Sequence, residues 1–193
     1  MRPLGTNGPS GGILTAVKKT IPHKRLQLVT DLQALAITTL SNHPSTLCNI
    51  YLPPTLDVKI EDLEDLLSQL PTPLILMGDF VAHNQMWKSR TTNARGRVLE
   101  NIFTQHNLHC LNDGRNTFYR PHDQASSIID LTLTTANLAL DYEWDTLPFL
   151  YGSDHYPIIL RRTKQETQIG FQNWQIQKAN WPKFKEQQNC IGL

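Results

Sequence analysis

The stretch Leu74-Ile75-Leu76-Met77-Gly78-Asp79-Phe80 decides the fold. Four apolar residues run without a break and end in Gly-Asp. So short a continuous run fits a strand covered on both faces, as in sheets flanked by helices. The preceding segment, residues 57–70, is helical in spacing. Ile60, Leu63, Leu66, Leu67 and Leu70 make one apolar stripe with acidic residues between them, and Pro71 and Pro73 end it. A second helix is predicted over Ala94 to His106. Strand candidates lie at Leu26 to Leu40, at Thr46 to Leu52 before Pro53-Pro54, near Cys110, at Thr117 to Arg120, at Ile128 to Thr134 and at Tyr156 to Leu160. Many short strands mixed with two or three helices predict an α/β (α+β) domain.

Composition sets wider bounds. At 193 residues, 39% apolar and 18% charged, the chain is globular stock, long enough for one domain with a sizeable core. Its formal charge of +1 gives no bulk attraction for polyanions. A nucleic-acid enzyme of this composition needs a local basic patch or metal ions instead. Cys48, Cys110 and Cys190 are sparse and odd in number, which suits a reducing compartment better than a disulfide scaffold. No apolar leader segment and no run of ~20 apolar residues is visible, so the expectation is a soluble, intracellular protein. Residues 1–12 are rich in Gly and Pro and read as a loop. Residues 163–193 are polar, rich in Gln, Lys and Asn, and read as a linker after a domain over residues 1–162.

Three places invite chemistry. Asp79, at the end of a buried strand, could orient a water or hold Mg²⁺, or could merely cap a turn. In Ser153-Asp154-His155 an anionic ligand adjoins a group that titrates near neutrality, although such pairs at strand starts are often structural. In Ser127-Ile128-Ile129-Asp130-Leu131-Thr132-Leu133, alternation puts Ile129, Leu131 and Leu133 on one face and Asp130 with Thr132 on the other. Asp130 could there hold an imidazole in one tautomer, or simply face water. Trp87 and Trp144 could stack on bases, but their default is packing. His106, His109 and His122 have no zinc-like spacing. Of the basic residues, Arg95 and Arg97 follow the Asp79 loop and are better placed for phosphates than Lys18-Lys19, Lys24-Arg25 or Arg161-Arg162.

Each signal is modest, but their order is specific. Asn49-Ile50-Tyr51-Leu52-Pro53-Pro54, then Gly78-Asp79-Phe80-Val81-Ala82-His83, then Ser127-Ile128-Ile129-Asp130, then Ser153-Asp154-His155 resembles the motif order of the endonuclease/exonuclease/phosphatase superfamily. Trp87, Asn93-Ala94-Arg95-Gly96, Leu111-Asn112-Asp113-Gly114, Trp144, Gly11-Gly12 and Val17-Lys18-Lys19 resemble the endonuclease domains of non-LTR (LINE-like) retrotransposons. The resemblance covers about residues 8–161. The tail with Trp174, Ala179, Asn180-Trp181 and Phe184 is similar to the segment that joins such a domain to reverse transcriptase.

The resemblance implies a four-layered sandwich of two mixed β-sheets flanked by helices. It implies Mg²⁺- or Mn²⁺-dependent phosphodiester hydrolysis that nicks DNA. By position, Asp79 would activate the attacking water, His155 would stabilise charge on the phosphate, Asp130 would orient His155 and Tyr51 would hydrogen-bond the scissile phosphate. Asp154 would sit beside the metal, and His83, Ser127 and Arg95 would contact substrate. Two departures point to impaired activity, or to an inactive remnant that at most binds DNA weakly. Val81 stands where the family has Asn, and no Gln-Glu-Thr strand precedes Tyr51 to supply the family's metal-binding Glu, so the domain is expected to lack its first strands. Gln165-Glu166-Thr167 repeats that triplet in the polar tail, with no strand before it, and reads as coincidence. A phosphoesterase for small phosphates fits less well, given Asp130-Leu131-Thr132-Leu133 and the linker-like tail.

Overall fold

The computed structural model describes residues 12–41 and 43–163. The segments 1–11 and 164–193, with Gln165-Glu166-Thr167 and the tail tryptophans, lie outside the described residues. The elements run β1 (His23–Leu26), β2 (Gln33–Thr39), β3 (Thr46–Tyr51), α1 (Ile60–Ser68), β4 (Leu74–Asp79), α2 (Ala94–Gln105), β5 (Leu108–Cys110), β6 (Phe118–Arg120), β7 (Ala125–Ser127), β8 (Asp130–Thr135), β9 (Tyr142–Thr146) and β10 (Ile158–Arg162). Six strands form a mixed sheet in the order β1-β2-β3-β4-β8-β5, and β9 with β10 and β6 with β7 form two-stranded ladders. The fold is α+β, built on a mixed sheet with few helices, as expected.

β3 and β4 are parallel neighbours, so a crossover must join them, and α1 is that crossover. α1 is shorter than the 57–70 stripe. Its apolar spacing outlasts its backbone: Leu70 still packs in the core, while Gln69 leaves the helix to bond the Val29 backbone through Oε1 (2.7 Å) and Nε2 (2.9 Å). α2 starts at Asn93, whose side chain accepts the Gly96 N–H at 2.7 Å, an N-cap of the preferred residue type.

The pleat sorts side chains by parity. Cys48, Ile50, Leu74, Leu76, Leu131 and Leu133 point to one face and join Leu63, Leu66, Leu99 and Phe103 of the two helices in one core. Each fully buried Leu or Phe contributes roughly 1.5–3 kcal/mol there. The opposite face carries Asn49, Tyr51, Ile75, Asp79, Asp130 and Thr132. The β9–β10 ladder packs on that second face, because Trp144 of β9 donates through Nε1 to Thr132 Oγ1 at 3.1 Å. β4 is thus covered on both sides, and Tyr51, Asp79 and Asp130 share the face that the helices leave free. No helix among the described residues is long and apolar enough to cross a membrane.

Gly78 permits this arrangement. Its φ is +151°, and a Cβ built there would lie 1.8 Å from the Ile50 carbonyl oxygen on β3. Any side chain must push β3 and β4 apart, and backbone cannot yield as a flexible side chain would. Gly78→Ala is expected to lower stability by at least ~3 kcal/mol, read as a fall in the urea midpoint. A midpoint equal to wild type would show that β3 and β4 are not packed this tightly.

Candidate active site

Strand register assembles the site. Tyr51 pairs with Asp79 across parallel β3 and β4, and Asp79 pairs with Asp130 across antiparallel β4 and β8. The three side chains form a row on one face, at the carboxyl ends of β3 and β4. They line a cleft of about 430 Å³ together with Asn49, His155 and the extended segment 12–14. Asn49 holds that segment by donating from Nδ2 to the Leu14 carbonyl at 3.2 Å.

Asp79 and Asp130 lie directly opposite each other, and like charges so placed repel. Two devices relieve the repulsion. His155 Nδ1 lies 2.9 and 3.1 Å from the two carboxylate oxygens of Asp130. A carboxylate only accepts, so Nδ1 carries the proton and Nε2 is the free nitrogen of the neutral ring. This hydrogen bond, against burial, raises the His155 pKa. The Asp79 carboxyl is pushed up to about 6 by burial first and by Asp130 second. The Val81 N–H, 3.0 Å from Asp79 Oδ1, works the other way and fixes the carboxylate in an Asx turn. Asp79, Asp130 and His155 each offer a ligand atom within 4.8 Å of the others, so the group could hold a metal ion.

Supporting contacts fix the Asp–His pair. The Asp130 and Ile129 amides both donate to the buried Thr117 hydroxyl, at 3.0 and 3.1 Å. Asn112, also buried, donates to the Asp130 carbonyl and accepts from the Thr132 amide, each at 2.9 Å. Phe118 stands edge-on to the His155 ring at 4.9 Å. No periodicity or local pattern marks Thr117, Phe118 or Asn112 for these roles, although Asn112 falls within the Leu111-Asn112-Asp113-Gly114 motif.

The other candidates are placed around this centre. Asp154 is 60% exposed, with Oδ1 at 4.0 Å from His155 Nε2. Ser127 sits on β7 opposite Phe118, one residue removed from the His155 ring. His83 is half-buried and outside the cleft lining, and burial lowers its pKa, which keeps the ring neutral. The Arg95 guanidinium turns to backbone carbonyls of the β3–α1 and β4 loops. Trp87 and Trp144 are both interior, so neither presents a ring for stacking on a base.

Val81 has φ +45°. A β-branched residue in the left-handed region is strained, whereas Asn visits it with far less penalty. The backbone at this position therefore suits an Asn, which the resemblance implies, better than the Val present.

Comparison with known proteins agrees with the geometry. A family model described as endonuclease-reverse transcriptase matches residues 45–159. A probable RNA-directed DNA polymerase from the transposon X-element of Drosophila melanogaster is 26% identical over 163 residues, 82% of this chain and 18% of that protein. The chain therefore spans under a fifth of that relative. Among solved structures, the endonuclease domain of TRAS1, a telomere-specific non-LTR retrotransposon, superposes with a TM-score of 0.69 at 23% identity, covering 77% of this chain and 72% of that one. The AP endonuclease LMAP from Leishmania major has a TM-score of 0.55 at 13% identity, covering 68% and 55%. The fold is thus that of the endonuclease/exonuclease/phosphatase class. The chain belongs to its endonuclease-reverse transcriptase family, as the motif order led one to expect.

Two outcomes follow from the site. Because the folded-state pKa of Asp79 is raised from 3.8 to about 6, stability falls as pH rises from 3.8 to about 6, the full cost is present above 6, and it vanishes below 3.8 where both states are protonated. Asp79→Asn should therefore raise the unfolding temperature near pH 8 and shrink that gain towards pH 4. The opposite trend would refute the raised value. Val81→Asn should add about 1 kcal/mol by relieving the left-handed strain, measurable as a higher urea midpoint. A loss of stability would show that the loop prefers the apolar side chain.

Proposed function

We propose that this domain is a metal-dependent DNA-nicking endonuclease of a non-LTR retrotransposon. The observation that carries the reading is the registered row Tyr51–Asp79–Asp130 with His155 bonded to Asp130. Asp79, with a pKa of about 6, matches a base that takes a proton from water near neutrality. Asp130 fixes the His155 tautomer and keeps the ring's positive form within reach, so Nε2 can stabilise charge on a phosphate oxygen. Tyr51 would position that phosphate from the other end of the row. The TRAS1 domain is named as the endonuclease of a telomere-specific retrotransposon, which supports DNA as the substrate.

A divalent ion fits the donor set. Asp79 and Asp130 offer hard carboxylate oxygens, and their mutual repulsion is what a cation would relieve. Held there, Mg²⁺ or Mn²⁺ would supply positive charge for the phosphate as negative charge builds. Asp154 would stand beside it, while His83 and Ser127 would meet flanking parts of the strand. A second reading is a fold with little catalysis, and it draws on Val81, which brings neither Asn's polar contact nor its ease at positive φ.

The test is nicking of supercoiled plasmid. Nicking should require Mg²⁺ or Mn²⁺, stop with chelator, and fall on the order of 10²–10⁴-fold in His155→Ala. Equal nicking by His155→Ala, or nicking in chelator, would sink the reading. Val81→Asn should nick faster than wild type by ~10-fold or more if a missing polar contact limits the rate.

A further inference from the structure

Arg95 lies on the first turn of α2, yet its guanidinium reaches two loops far away in sequence. Nη1 donates to the Leu52 carbonyl at 3.1 Å and to the Phe80 carbonyl at 3.2 Å. Nη2 donates to Pro53 O at 2.9 Å, Pro54 O at 3.4 Å and Leu56 O. Leu52 directly follows Tyr51, and Phe80 directly follows Asp79. One nitrogen therefore ties together the residues next to both ends of the Tyr51–Asp79 pair. The Leu52 amide completes the tie by donating to the Asp79 carbonyl at 2.9 Å.

The helix end that carries Arg95 is itself pinned. Asn93 N–H donates to the His83 carbonyl at 3.0 Å, and its side chain accepts the His83 and Gly96 amides at 3.3 and 2.7 Å. Gly96 packs so tightly on His83 that a Cβ would lie 1.9 Å from the His83 carbonyl oxygen. The cation is half-buried and satisfied by carbonyls. Occupied in this way, its Nη atoms are not free for a phosphate.

We propose that Arg95 is a positioning residue, a strap that sets the spacing between Tyr51 and Asp79 and touches no substrate itself. The strap rests on the nuclease reading for its consequence, but not for its existence. A lysine cannot replace it. An ammonium offers three donors at one point, whereas this site needs a planar fork spanning five carbonyls.

The test compares Arg95→Lys with wild type in three measurements. Thermal unfolding checks that the variant is folded. Hydrogen exchange of the Leu52 amide reads the strap without any activity. Binding of a short DNA duplex across a salt series, both chains carrying His155→Ala, reads phosphate contact. A strap predicts ~10-fold or greater loss of Leu52 protection in a cooperatively folding variant, with an unchanged salt slope. In the His155-containing chain, kcat for nicking should fall on the order of 10²-fold with KM little altered. A salt slope smaller by about one, with Leu52 protection intact, would overturn the strap and return Arg95 to the phosphate backbone. If wild type does not nick, the nuclease reading falls, and Leu52 exchange still decides the strap.

Discussion

The close approach of Gly78 to the Ile50 carbonyl is the constraint on which the site depends. It lets β3 and β4 lie side by side in a register that brings Tyr51 level with Asp79, and β8 then sets Asp130 across from Asp79. A slip of one residue would turn these side chains to the helical face and bury carboxylates in the apolar core. The helices matter here mainly by occupying that face. Their packing against Ile50, Leu76 and Leu131 fixes which side of the sheet is left for chemistry.

The same register creates a cost. Two carboxylates opposite each other, with Asp79 pushed up in pKa, are not what stability alone would choose. The imidazole on Asp130 and the Val81 amide on Asp79 offset part of it. Val81 in a left-handed conformation adds strain in the same loop. Such local costs persist where the surroundings over-determine the geometry. Thr117, Asn112 and the pinned start of α2 do that here.

Much of this was legible in the sequence. The unbroken Leu74–Met77 run and the apolar stripe of α1 depend on local periodicity; the strand appears where the pattern puts it, and the helix lies within its stripe but is shorter. Alternation alone set Asp130 beside Thr132 and opposite Leu131. β7 and β9 were not legible, because Ala125–Ser127 and Tyr142–Thr146 are short and largely polar and become strands through partners elsewhere in the chain. Arg95 shows the other limit. Its nearness to Asp79 suggested phosphates, but its carbonyl partners lie 39 to 43 residues away in the β3–α1 loop and 15 away at Phe80. Nor does a sequence reveal that position 81 must adopt a positive φ.

The backbone around His155 has a consequence of a different kind. The Tyr119 amide donates to the Asp154 carbonyl and the Tyr156 amide to the Thr117 carbonyl, each at 2.8 Å, so the segment bearing His155 is held to β6 by a single β-bridge between Phe118 and His155. The imidazole thus arrives through a late-sequence closure, 25 residues beyond Asp130. With only the six-stranded sheet in place the fold would hold Asp79 and Asp130 without an imidazole beside them, so the pairing of the carboxylates and the pairing of Asp130 with His155 are set by separate parts of the chain.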